Sequence, residues 1–109
     1  MKKSEQQLIN TEVLEAVKNY NAVKDSDIPH TSKQLRTCTA TVYESNKYYV
    51  LRSYATVIAI IDKETDTLYD FLRYVYGYTS TSAQHISKFS KDYGKGKWGC
   101  SRVLTYRAV

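Results

Sequence analysis

The residues of this 109-residue chain best equipped for chemistry lie in its last third. Residues 79–109 carry Lys88, Lys91, Lys95, Lys97, Arg102 and Arg107 against Asp92 alone. Residues 1–78 hold ten basic and ten acidic residues. The formal net charge of +5 is therefore local, and a local excess of positive charge points to a docking surface for something acidic. Tyr93 and Trp98 interleave with these cations. Rings that stack on bases beside groups that meet phosphates are the ingredients of single-strand binding. Gly94, Gly96 and Gly99 let the backbone approach a ligand closely. Lys88, Lys91, Tyr93, Lys95, Lys97, Trp98, Arg102 and Arg107 are accordingly the candidate partner-binding residues. Lys88 and Lys91, three apart, share a helix face. Arg102 and Arg107, an odd number apart in a strand, point to opposite faces. A solvated helix face that keeps the chain dispersed accounts for the same lysines without any partner.

Other chemistries find little support. His30 and His85 are the only histidines, and neither Cys38 nor Cys100 has a Cys or His partner at metal-ligand spacing. No metal site and no cofactor are expected. No strand–turn–helix signature frames a serine as a nucleophile. The Thr79–Ser82 run that precedes a helix reads as capping chemistry. The glycines at 94, 96 and 99 follow a helix, whereas a phosphate loop opens one. A non-enzymatic binding protein is the expectation.

The elements that must position these residues follow from periodicity. Residues 4–23 read as a helix, with Ser4 and Gln7 as a capping box and Ile9, Val13, Ala16, Val17 and Tyr20 as its apolar stripe. Residues 24–36, with Pro29, read as a polar loop. Residues 37–44 alternate, placing Cys38, Ala40 and Val42 on one side and Thr37, Thr39, Thr41 and Tyr43 on the other. A turn at 44–47, with Asn46 able to take positive φ, leads to a strand at Tyr48–Tyr54. The apolar, β-branched Val57–Ile61 reads as a central strand covered on both faces. Residues 67–78 fit two readings: Leu68, Phe71, Leu72 and Val75 recur at helical spacing, while the alternation of Leu72, Tyr74, Tyr76 and Tyr78 favours a strand for at least 72–78, with Gly77 marking a bulge or an exit. Residues 82–93 form a second helix, boxed by Thr81 and Gln84 and stopped by Gly94. Residues 95–99 are a flexible basic loop, and Ser101–Ala108 a closing strand. The fold class is α+β: one domain spanning 1–109, with an N-terminal helix, an antiparallel sheet of four or five strands and a second helix packed on it.

The composition is ordinary for a globular domain, 42% hydrophobic and 25% charged. Eleven tyrosines suit half-wet strand surfaces and also contact surfaces. The longest apolar run, Val57–Ile61, is far too short for a membrane span. The basic start, Met1–Glu5, leads into no apolar stretch, so no signal peptide is read and a cytoplasmic location is expected. Cys38 and Cys100 would then be reduced, and sequence alone does not establish whether they could meet.

Two segments carry a resemblance. Ser53-Tyr54-Ala55-Thr56-Val57-Ile58-Ala59 resembles the S-Y-x-T-x-I/V-A strand of small uncharacterised proteins of phages and mobile elements of Gram-positive bacteria. Thr81-Ser82-Ala83-Gln84-His85-Ile86-Ser87-Lys88-Phe89 resembles the T-S-x-x-H-x-x-x-F helix start that follows it there. The likeness spans roughly residues 48–93 at the level of pattern. The chain departs from it at Ala55, where Asn is usual, and in a Tyr-rich insertion at 68–78. The resemblance implies a setting and no residue roles. It suggests an accessory protein, within the bacterial host, that acts as a stoichiometric inhibitor of a host defence protein such as a Cas nuclease, in the manner of anti-CRISPR proteins. A basic chain does not mimic DNA, so it would meet acidic protein or held nucleic acid. A nucleic-acid-binding accessory protein acting alone is the alternative.

Overall fold

A computed structural model describes residues 2–35 and 39–108 of the chain. The polypeptide runs α1 (Lys3–Val23), β1 (Thr31–Gln34), β2 (Ala40–Glu44), β3 (Tyr48–Ser53), β4 (Thr56–Asp62), β5 (Thr67–Asp70), α2 (Leu72–Val75), α3 (Ser80–Tyr93) and β6 (Arg102–Thr105). The six strands form one sheet in chain order. β1 to β5 are an antiparallel meander, and β6 joins β5 in parallel. A parallel neighbour requires a crossover, and here α2, α3 and the loop after them provide it. The α+β class holds, with more strands than the four or five expected.

Strand alternation sends two sets of side chains to opposite faces. One face carries Ala40, Val42, Leu51, Ala59, Ile61 and Leu68, which pack against Ile86 and Phe89 of α3. The other carries Val50, Ile60 and Leu104, which pack against Val13 of α1. β4 is central as expected, with Ile58, Ala59, Ile60 and Ile61 essentially without exposure. Its register shifts opposite Leu51 and Arg52, so Ile58 is an extra residue. Ile58 and Ala59 consequently both enter the α3-side core, against strict alternation.

Several local expectations give way. Lys2, with no side-chain cap, precedes α1, so the Ser4–Gln7 box does not form. Thr79 caps α3, its hydroxyl accepting from the Ser82 N–H at 3.2 Å, two residues before the expected Thr81. Gly94 ends α3 with extended backbone (φ −72°, ψ 153°). The 24–36 loop contains β1, four polar, exposed residues whose strand character comes from pairing with β2 and from no hydrophobic signal. Residues 72–78 are not a strand. The Asp70 carboxylate accepts the Leu72 N–H at 3.1 Å and turns the chain into α2. Thr37 and Cys38, expected to begin β2, lie outside the described residues.

Asn46 does not take positive φ; among described non-glycine residues Tyr54 and Asp66 do. The 45–47 turn is closed instead by the buried Asp27 carboxylate, which accepts from the Ser45 hydroxyl (2.6 Å) and the Asn46 and Lys47 N–H groups (3.0 and 3.2 Å).

The outer edge of β6 is covered by side-chain amides of α1. Gln6 Nε2 donates to the Thr105 carbonyl (2.9 Å) and Asn10 Nδ2 to the Arg107 carbonyl (2.6 Å), while the Arg107 N–H donates to Asn10 Oδ1 (3.0 Å). An open strand edge invites pairing with another chain, and these two buried amides block it at that end. Sequence reading passed over them because they are polar residues at helical spacing. Among the described residues no helix is long and apolar enough to cross a membrane.

Candidate functional site

The two resemblance segments meet inside the molecule. Ser53 of β3 lies 3.1 Å from the Ser82 hydroxyl and 3.3 Å from His85 Nδ1 on α3. All three are at most 3% exposed. A hydroxyl beside an imidazole suggests nucleophile chemistry, but no substrate reaches a contact closed on all sides. The cluster pins α3 to the sheet, and Phe89 of the same motif is fully buried in the core beside it. These motif residues build the seam between helix and sheet, so function is to be sought elsewhere.

The loop after α3 is the outstanding surface feature. The Gly96 N–H donates to the Gly99 carbonyl at 2.7 Å, closing a tight turn with Lys97 and Trp98 at its tip. Trp98 is 87% exposed. Sequence reading expected a flexible loop, but its base is held from three sides. The Asp66 carboxylate accepts from the Lys95 N–H (3.0 Å), the Ser101 N–H (2.9 Å) and the Ser101 hydroxyl (2.7 Å). Ser90 Oγ accepts the Cys100 N–H at 3.1 Å. Gly94 lies so close to Gly99 and Cys100 that a Cβ there would sit 2.2 Å from their backbone atoms. Gly99 itself has φ +136°.

Burial alone would raise the Asp66 carboxyl, but the Ser101 and Lys95 donors outweigh it and hold the group below the ordinary carboxylate value. Asp27 behaves likewise: burial opposes, and the donors of the 45–47 turn prevail. Depressed values mean that the stability both groups supply is complete above about pH 4 and is lost as pH falls through their folded-state values. Thermal unfolding followed by circular dichroism should therefore show a midpoint that drops in acid below about pH 4. Asp66→Asn should cost about 2 kcal/mol at pH 7, since a neutral amide cannot accept all three donors. It should also flatten the acid decline.

Beside the tip a groove of about 420 Å³ runs between α2, α3 and β6. Its lining includes Asp70, Arg73, Tyr78, Trp98, Val103 and Arg107. Tyr78 and Val103 are 56% and 51% exposed. The Arg73 guanidinium lies 4.6 Å from the centre of the Tyr78 ring, and the Lys97 ammonium 5.4 Å from that of Trp98. Among the described residues neither Arg73 nor Arg107 has an ion-pair partner within 4 Å. Asp70, on the groove floor, is 8% exposed. Burial pushes its carboxyl above the ordinary value, moderated by the Leu72 N–H and by Arg73 and Arg107. Its sign is opposite to that of Asp66, since whatever it contributes is lost as pH rises through its folded-state value. Asp70→Asn is expected to leave the melting temperature at pH 7 unchanged or higher. It should also strengthen binding of an anionic ligand in the groove about threefold to tenfold, the scale of one partly screened like charge.

The eight candidates divide. Lys97, Trp98 and Arg107 share the tip and groove. Lys91 is exposed near the end of α3. Lys88 is paired with Asp92 at 2.9 Å. Tyr93 is half-buried against Tyr49 and Phe89, a core ring and no stacking platform. The Lys95 ammonium donates to the Lys63 carbonyl at 3.1 Å. Arg102 pairs with Glu12 of α1 at 2.8 Å, on the opposite face from Arg107, as the odd spacing implied. Arg73 and Tyr78 were missed; the signal was an arginine inside the Tyr-rich 68–78 segment. Among the described residues no group of three or more His, Cys, Asp or Glu could hold a metal ion. Burial raises the Cys100 thiol above its ordinary value, which makes it a poor nucleophile. Cys38 lies outside the described residues. Comparison with protein-family models, curated proteins and solved structures finds no match to this chain.

Proposed function

We propose that the chain is a non-enzymatic accessory protein that works by binding, docking the Trp98 corner onto an acidic surface of a host defence protein or nucleoprotein, of which a guide-loaded Cas nuclease is one example. The observation that carries the reading is a nearly fully exposed tryptophan held on a pinned turn beside two arginines that have no ion-pair partner within 4 Å among the described residues. Exposing a large aromatic ring is unfavourable in a free monomer, and pre-ordering it lowers the entropy lost on binding. Trp, Tyr and Arg are also the residues that dominate binding hot spots. The resemblance to phage and mobile-element proteins supplies the setting, and the positive charge supplies the sign of the partner.

The test is a defence assay. Wild-type protein, expressed in a bacterial strain whose Cas nuclease restricts a phage, should raise plaque counts at least tenfold. It should form a stable complex with the purified guide-loaded nuclease, and Trp98→Ala should do neither. Unchanged plaquing with no complex overturns the Cas reading.

A further inference from the structure

We propose that the groove between α2, α3 and β6 binds single-stranded nucleic acid, with a base stacked on Trp98 and the backbone phosphates on Arg73 and Arg107. This rests on the preceding assignment of the Trp98 corner as the docking face and names the chemistry of what enters it.

Subtracting the ion pairs reveals the cations available to a ligand. Lys88, Arg102 and Lys63 are engaged with Asp92, Glu12 and Glu44, all at 2.9 Å or less. Arg73 and Arg107, both close enough to the Asp70 carboxylate to act on it electrostatically, have no such partner within 4 Å among the described residues and line one groove. Planar guanidinium groups suit phosphate oxygens better than a point charge does. The rings are placed to match. Trp98 stands 87% exposed at the rim, and Tyr78 is 56% exposed with Arg73 against its face. Alternating ring faces and guanidinium groups are what a strand with splayed bases needs. A duplex keeps its base faces stacked internally and offers only phosphates. An acidic peptide would satisfy the arginines but supplies no planar partner for the rings. A groove of about 420 Å³ has the dimensions of a ligand cleft, within the usual range of roughly 300–1,000 Å³. It does not have the breadth of an obligate protein interface.

Trp98 is the sole tryptophan, so its fluorescence reports the event directly. The purified full chain would be titrated with a single-stranded 12-mer of thymidylate, a duplex of equal length and poly-L-glutamate, at 50 and 200 mM NaCl. The expected result is saturable quenching by the single strand. Its affinity should fall roughly twentyfold between the two salts if Arg73, Arg107 and Lys97 each release a counterion. Arg73→Gln and Arg107→Gln, with melting temperatures near wild type, should each weaken binding at least tenfold. Lys88→Gln and Arg102→Gln, which touch only paired charges, should change it less than twofold. Three results would overturn the proposal: no quenching, equal affinity for duplex or poly-L-glutamate, or wild-type affinity in both groove-arginine variants. If one of these occurs while the defence assay succeeds, the docking reading stands with an acidic protein surface as partner. Failure of the defence assay with tight strand binding leaves the groove assignment intact.

Discussion

Gly94→Ala is expected to destabilise the protein by about 3 kcal/mol, the upper end of overpacking costs, and to lower its melting temperature by roughly 12 °C. The reason is space alone. Gly94 has φ −72°, a conformation open to any residue. An added Cβ, however, would sit 2.2 Å from the Cys100 nitrogen and the Gly99 carbonyl carbon. Those neighbours are backbone atoms and cannot rotate away as a side chain would. Relief requires the end of α3 to part from the 99–100 segment, which breaks the Ser90 to Cys100 hydrogen bond and loosens the Asp66 clamp. The Trp98 tip then loses its fixed geometry. Fluorescence anisotropy of Trp98 should fall as the ring gains local motion, together with the melting temperature. Gly77→Ala is the control, because Gly77 has φ +99° but open space around its Cα. It should cost about 1 kcal/mol from backbone strain and leave Trp98 anisotropy unchanged. A Gly94→Ala protein that melts with wild type would show that the close packing of this loop is not maintained in solution.

Trp98→Ala is expected to do the reverse, leaving stability intact and removing binding. A side chain 87% exposed has little burial to lose, so the change in unfolding free energy should stay within about 0.5 kcal/mol. The affinity loss should be about 2 kcal/mol, roughly thirtyfold, which is the threshold of a binding hot spot. Trp98→Phe, which keeps a stacking face, should recover part of that loss. Calorimetric titration of the acidic partner alongside thermal melts separates the two effects. Equal partner affinity in wild type and Trp98→Ala would remove this ring from the docking face and with it the observation on which the functional reading rests. The pair of substitutions is informative jointly. Gly94→Ala disturbs how the ring is held, whereas Trp98→Ala deletes the ring from an undisturbed scaffold.

Strong local periodicity made most elements legible. The apolar stripe of α1, the continuous β-branched run of β4 and the apolar positions of α3 each state their own burial, and the structure buries Val13, Ile58–Ile61, Ile86 and Phe89 accordingly. β1 was hidden because Thr31–Gln34 has no apolar face, and its pairing is decided by β2 alone. The 72–78 segment was misleading because its alternating aromatics imitate a strand. The determining interaction, Asp70 accepting from the Leu72 N–H, is a side-chain turn that composition does not reveal. The parallel placement of β6 depends on where the crossover returns, which no local pattern encodes.

The candidate site divides in the same way. From its sequence alone this chain can be seen to concentrate positive charge in residues 79–109 and to set Trp98 between glycines, because charge and ring type belong to residues individually. Which charges remain available is a property of neighbours distant in sequence. Glu12 on α1 engages Arg102 from 90 residues away. Asp66 between β4 and β5 clamps the loop that carries Trp98. The crossover brings Arg73 and Tyr78 to the same groove as Arg107. Pairing and proximity depend on distances of a few ångströms between residues that chain topology alone makes adjacent. The tertiary structure therefore decides that Arg73, Tyr78, Trp98 and Arg107 line one groove and that Lys88, Tyr93 and Arg102 lie outside its lining.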